Sequence, residues 1–315
     1  MENILSVTIP FFALMGCGYL AGRARLFTVA GIDGMIFFVF YFALPCMLFR
    51  YMALSPLNEI ADFSFMGAYA GVSLFVFVLS ALGGRLFFGS RAGIMALQGQ
   101  SGSIGNVGFL GLPMIAALLG QDAALAVVLA LLVDLIFFMP LTLSILEIDK
   151  HQGQSRNGQP IASTIFKIFR GTFLNPFVLS IGIGVAVSAL NFKLPVPIDS
   201  ITGLLGAAAS PCALFALGAS LAGRPLADDM KEAGYLIGIK LMIHPLVMWL
   251  AMTYLFDVKP MWALAAILVA GLPIAGNAFI LAQTYGFYTE RTSTAILLST
   301  AIAVATFSML VGILT

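Results

Sequence analysis

The chain has 315 residues, of which 61% are hydrophobic and 9% charged, with a net charge of +1 and a mean hydropathy of +1.05. Soluble domains hold about 45–50% apolar and about 25% charged residues, so this composition excludes a large soluble core and describes a polytopic membrane protein whose first partner is the lipid bilayer. The near-neutral balance excludes a basic face for nucleic acid.

Apolar runs of about 20 residues read as membrane spans. They lie near 4–22, 32–53, 64–83, 93–119, 123–146, 164–190, 198–222, 233–256, 260–285 and 289–313, which makes ten. The longest polar link is 147–163, EIDKHQGQSRNGQPIAS. It divides the chain into residues 1–146, with spans 1–5, and 164–315, with spans 6–10. Cys17, Cys46 and Cys212 all fall in apolar runs, without pairing or metal spacing, and read as small packing residues. Met1-Glu2-Asn3 offers no positive n-region, so a cleaved signal peptide is not expected.

Lys and Arg set the orientation. The links after spans 1, 3, 5, 7 and 9 carry eleven of them, from Arg23 to Arg291. The other links carry three, Arg50, Lys193 and Lys259. The odd links are therefore expected in the cytoplasm, with both termini outside. With five spans each, the two halves run through the membrane in opposite senses. They also share landmarks 166 residues apart: Pro10 with Pro176, PCMLF from Pro45 with PCALF from Pro211, and Gly120 with Gly286. The reading is an all-α membrane protein of ten transmembrane helices in two inverted five-helix repeats.

Spans 4 and 9 are unlike the rest. In QGQSGSIGNVGFLGLP, residues 98–113, Gly recurs at every third position from Gly99 to Gly111 and Pro113 closes the run. Its partner, GLPIAGNAFILAQTYG, covers 271–286. Gly costs about 1 kcal/mol against Ala inside a helix and Pro about 3, so neither stretch reads as a continuous helix. Broken helices in corresponding places of two halves mark a transporter's substrate site. The free N–H end of a half-helix attracts anions and the free C=O end attracts cations. Two breaks crossing in opposite senses would place two positive ends near the midplane, suited to an anion without a buried Arg. Asn106 and Asn277 can donate and accept hydrogen bonds there. The expected substrate-binding set is Asn106, Asn277, Gly105, Gly108, Pro113, Pro273 and Gln283.

Ionisable groups inside spans are rare and functional by default. Asp134 lies mid-span 5. Lys240 and His244 share a face of span 8, with Pro245 next. None has a like-charged counterpart 166 residues away. Asp134 is a candidate proton or cation site, and Lys240 its ion-pair partner or a charge for the substrate. His244 completes the candidate coupling set. No metal spacing, no nucleophile beside a base and only two His argue against an enzyme.

GNVGFLGLP in span 4, PCALFALGASL in span 7, K-x-x-x-x-P at Lys240–Pro245 and LP-x-x-x-N-x-x-x-L-A-x-x-Y-G in span 9 resemble the auxin efflux carrier family across essentially the whole chain. The resemblance implies two inverted repeats, an architecture related to the bile acid:sodium symporters, and elevator-type alternating access. It implies a core of spans 3–5 and 8–10 built on crossing spans 4 and 9, moving against a scaffold of spans 1, 2, 6 and 7 that also forms the side of a homodimer. By position, Asn106 and Asn277 would lie beside the substrate, with Pro113 and Pro273 at the crossing point. Compact bacterial members carry small organic anions such as malonate or malate, and plant members carry auxin. The chain lacks the long central loop of the large plant carriers. The expectation is a secondary transporter of a small carboxylate in the cell inner membrane. It needs no cofactor, with Na⁺ or H⁺ as the possible coupling ion. An uncoupled facilitator or channel and a transporter-shaped sensor are the alternatives.

Overall fold

Helix covers every one of the apolar stretches in the computed structural model, which describes residues 2–153, 161–222 and 230–314. In chain order the helices are α1 (Glu2–Arg23), α2 (Val29–Ala53), the short α3 (Leu57–Ile60), α4 (Phe63–Phe88), α5 (Ala92–Ser103), α6 (Val107–Leu119), α7 (Gln121–His151), α8 (Ile161–Phe173), α9 (Pro176–Ala189), α10 (Val196–Leu221), α11 (Met230–Tyr254), α12 (Pro260–Ala270), α13 (Asn277–Tyr285) and α14 (Thr289–Leu314). Six helical stretches are long and apolar enough to cross a membrane: 29–53, 57–88, 121–151, 196–221, 230–254 and 289–314. The pair α8 and α9 forms a further candidate, bent by 56°. Asn175 caps α9 from its side chain and Pro176 opens it, so the chain turns there rather than continuing straight.

The polar link expected over 147–163 is narrower than its composition suggests. Helix persists to Gly153 and resumes at Ile161, because Glu147, Asp149 and Lys150 are good helix formers or tolerable last-turn residues. Residues 154–160 and 223–229, with Arg156 and Arg224, lie outside the described residues.

A recurring device shapes four of the helices. Residues 39–43, 107–111, 134–138 and 239–243 each form a widened turn, in which an amide reaches the carbonyl five residues back. Each turn ends two residues before a proline: Pro45, Pro113, Pro140 and Pro245. A helix-interior proline removes one hydrogen bond, and its ring clashes with the carbonyl four residues earlier. Widening the preceding turn relieves that clash without ending the helix. Asp134 and Lys240 both sit in these turns.

The helices pack in two groups. In one, α1 lies along α10, and α2 packs on α9 and α10. In the other, α4 packs on α5, α12 on α7 and α11, and α11 on α14. The contact of α1 with α10 is backbone to backbone. A Cβ on Gly218 would stand 1.9 Å from the Met15 carbonyl oxygen, and one on Gly18 2.1 Å from that of Phe215. Small residues at such crossings let dispersion contacts replace the hydrophobic driving force that lipid does not supply. Gly218→Val should therefore lower the stability of the detergent-solubilised protein by about 1–3 kcal/mol or more. Gly16→Ala, whose Cβ meets nothing within 4 Å, serves as the control. Equal thermal unfolding of both variants would show that the two helices do not pack this closely.

Candidate functional site

Both expected breaks are present, and they cross. Helix α5 ends at Ser103 and α6 begins at Val107, while α12 ends at Ala270 and α13 begins at Asn277. Between them, Gly105 and Ile274 form an antiparallel β-bridge. Asn106 N–H donates to the Pro273 carbonyl at 2.9 Å, and Ala275 N–H donates to the Ile104 carbonyl at 3.3 Å. Ile274 N–H donates to Ser299 Oγ at 3.2 Å. Two backbone hydrogen bonds thus join the breaks, and the other paired non-helical groups find partners in their own segment or on α14, as buried backbone must.

Not every glycine of the run serves the break. Helix α5 passes unbroken through Gly99 and Gly102. A Cβ there would meet the Phe77 ring at 2.7 Å and Ser80 Oγ at 2.4 Å, so these glycines admit α4 alongside. The break is narrower than the Gly run that marks it: only 104–106 leaves the helix. Gly105 is needed at the crossing itself. Its Cβ would stand 3.0 Å from Leu272 Cβ and 3.2 Å from both the Val269 carbonyl oxygen and Lys240 Nζ. Gly108 is buried, but a Cβ there would make only ordinary contacts from 3.8 Å.

The four half-helix ends are treated unequally. One C-terminal end is capped by a cation, and the residue just past the other is bonded to the opposite break. Lys240 Nζ, fully buried, donates to the Ala270 carbonyl at 2.7 Å, where a cation suits the negative end of α12. Ile104, just past α5, accepts from Ala275. Neither N-terminal end has a side-chain cap. Among the described residues the amides of Gly108 and Phe109, and those of Gly276 and Asn277, have no hydrogen-bond acceptor. Asn106 is buried without capping its own helix, and Asn277 Oδ1 is a buried atom without a partner. Gln98 Oε1, Gln100 Nε2 and Ser101 Oγ on α5 are likewise unpartnered. The arrangement leaves two positive helix ends and several amides able to bind a negative group.

Lys240 makes no ion pair with Asp134. Its amine also lies 3.0 Å from His244 Nδ1, and His244 Nε2 lies 3.5 Å from Ser73 Oγ. Asp134 accepts instead from the buried Tyr69 hydroxyl at 3.2 Å. Tyr69 and Ser73 lie one turn apart on α4, so Asp134 and the Lys240–His244 pair face the same helix. This link was invisible in the sequence, where Tyr69 and Ser73 are two polar residues in an apolar run. Pro113 is buried in the first turn after the wide turn and lines a cavity. Gln283 is exposed, six residues from Asn277 and so about 9 Å along α13. The structure does not bring it to the crossing.

A second polar cluster was also missed. The buried carboxylate of Glu232 accepts from Gln98 Nε2, from Tyr288 Oη at 2.6 Å and from Arg291 Nη1 at 2.5 Å. It ties α5 to α11 and α14. Burial and the neighbouring carboxylate hold the Tyr288 phenol well above its ordinary value, so it stays a donor.

Crossed broken helices, apolar helices of spanning length and a polar centre define an all-helical membrane protein of the transporter class. The profile of the membrane transport protein family matches residues 4–311, and the chain belongs to this family, that of the auxin efflux carriers. It is 33% identical over 306 residues, 97% of this chain and 94% of the relative, to a "Putative malonate transporter" of Rhizobium meliloti. It is 23% identical over 355 residues, 96% of this chain and 95% of the relative, to "Auxin efflux carrier component 8" of Arabidopsis thaliana. It is 27% identical over 262 residues to "Lysosomal cholesterol signaling protein" of Mus musculus, covering 78% of this chain and 29% of that one. The chain is a transporter homologue and not an enzyme.

The crossing makes a direct prediction. Gly105→Val forces two added methyl groups beyond the Cβ against a carbonyl and the Lys240 amine, and should cost about 1–3 kcal/mol in thermal unfolding. Gly108→Ala should stay within about 0.5 kcal/mol of the parent. The reverse ranking would mean that the segments do not meet at Gly105.

Proposed function

We propose that the chain is a secondary transporter of a small carboxylate that works by alternating access, with the substrate held where the broken helices cross. The observation that carries this reading is the inequality of the half-helix ends. The negative end of α12 already holds the Lys240 amine, and both positive ends keep unpaired amides. That polarity favours an anion over a cation or a neutral solute. Asn106 and Asn277 supply side-chain amides next to those ends. The printed names of two relatives, a malonate transporter and an auxin efflux carrier, agree with an organic anion as cargo.

In this reading the ten helical units are ten spans in two inverted repeats of five. The α1, α2, α9 and α10 group is the scaffold, which forms a homodimer, and the second group is the moving core. This motion exposes the site to one side at a time. The packing groups support the division, since contacts within each exceed those between them. The greater number of Lys and Arg on the odd links supports cytoplasmic odd links and outer termini in the cell inner membrane. Asp134 is the proposed coupling site, reached through Tyr69, and Lys240 the fixed positive charge at the crossing.

Uptake of radiolabelled malonate by purified protein in liposomes tests the reading. Asn106→Ala and Asn277→Ala should each reduce uptake to background while leaving the elution profile and thermal unfolding near those of the parent. Full transport by both variants would remove the crossing as the site. Counterflow against a gradient separates a carrier from a channel, which cannot produce it. Asp134→Asn should alter the pH dependence of uptake, and an unchanged profile would remove Asp134 as a proton site.

A further inference from the structure

Arg50 has no part in this scheme. A cavity of about 530 Å³ lies between the two packing groups, walled by α2 and α10 on one side and by α6 on the other. It reaches Ala116 and Pro113 on α6, the helix that begins at the first break. Arg50 is its single charged lining residue, and Gln121 is the other long polar one. Its remaining wall is small or apolar, including Gly203 and Gly206. Gly203 keeps the space beside the guanidinium open, since a Cβ there would lie 3.4 Å from Arg50 Nη1.

The guanidinium is held from one side only. Nη1 donates to the Asp199 carbonyl oxygen at 2.7 Å, to the Asp199 carboxylate, and weakly to Thr202 Oγ1 at 3.4 Å. All three acceptors lie on α10. Among the described residues, Nε and Nη2 have no acceptor. Those two nitrogens form the edge of the fork that matches a carboxylate bidentately. An arginine anchored through one nitrogen, with its other edge unpaired and a cavity beside it, is a preorganised carboxylate receptor.

We infer that Arg50 captures the carboxylate of the incoming anion through Nε and Nη2 and so sets the apparent affinity for substrate, with Asp199 as the residue that orients it. This rests on the anion-carrier reading and adds to it a waiting position in the access cavity. By charge bias the cavity faces outside, so capture acts on substrate approaching from that side. Because Arg50 holds a waiting position rather than the crossing, it acts on KM and not on the transport step. The Arg50 side chain is 27% exposed and ion-paired with Asp199, and the part of its charge that Asp199 leaves uncompensated draws anions over a Debye length, about 8–10 Å at ordinary salt.

The test is initial-rate uptake of radiolabelled malonate by liposomes containing the full chain, measured against malonate concentration at 20–500 mM ionic strength, that range being roughly a five-fold change in Debye length. Arg50→Gln should raise KM about ten-fold or more at low salt, a loss of roughly 1.4 kcal/mol, with the maximal rate within about two-fold. The parent KM should climb with salt, and that of Arg50→Gln should stay flat. Arg50→Lys keeps the charge without the fork, and should raise KM about three-fold while retaining the salt dependence; it also guards against loss of folding in the Gln variant. A parent-like KM in Arg50→Lys together with no salt dependence in the parent overturns the inference, as does a parent-like KM in Arg50→Gln. A parent chain that transports malonate while the Arg50 variants behave identically contradicts the Arg50 role alone. A parent that neither transports malonate nor is stabilised by it contradicts the anion-carrier reading, and the capture role falls with it.

Discussion

Unpaired backbone cannot be left inside a membrane, and the structure depends on how that demand is met at two breaks. Each helix gives up its continuous hydrogen-bond ladder for three to six residues. The cost of several kcal/mol per orphaned group is avoided because one break supplies acceptors for the other. Asn106 finds Pro273, and Ala275 finds Ile104. The bridge is short, so it does not use up the groups just beyond it. Gly108 and Phe109 on one side and Gly276 and Asn277 on the other keep their N–H groups for something else. The same interaction that makes the breaks tolerable is what leaves two positive helix ends open.

Charge placement completes the picture. A membrane interior makes an isolated cation costly, yet Lys240 is wholly buried. Its place at the C-terminal end of α12 supplies a carbonyl and a favourable dipole, and His244 supplies a second acceptor. The absent Cβ of Gly105 gives the amine its room. Asp134, in a widened turn of α7, is reached through Tyr69 on the same helix whose Ser73 faces His244. Two ionisable groups with no direct contact are thereby connected through one face of α4.

The helices, the two breaks and their pairing were legible because they rest on strong local signals: long apolar runs, Pro113 and Pro273, and Gly105 within a polar patch. The extent of the first break was not. Gly99 and Gly102 carry the same helix penalty as Gly105, but their reason is the neighbouring α4, which no local pattern reveals. The widened turns were missed for a different cause. Pro45, Pro113, Pro140 and Pro245 give no local sign of them, yet the chain accommodates each by loosening the turn before it. Contacts between distant residues were out of reach altogether. Nothing in the order of residues pairs Tyr69 with Asp134, Glu232 with Gln98, or Arg50 with Asp199. Gln283, a polar residue near a break in sequence, lies exposed on α13 six residues beyond Asn277.

The most direct measurement is a cryo-electron microscopy map of the protein in lipid nanodiscs with and without malonate, at a resolution that shows carboxylate density. The account predicts separate half-helices at 104–106 and 271–276, with malonate density within hydrogen-bonding distance of the amides at 108–109 or 276–277. Continuous helices through both segments, or malonate bound with those amides turned away, would contradict it.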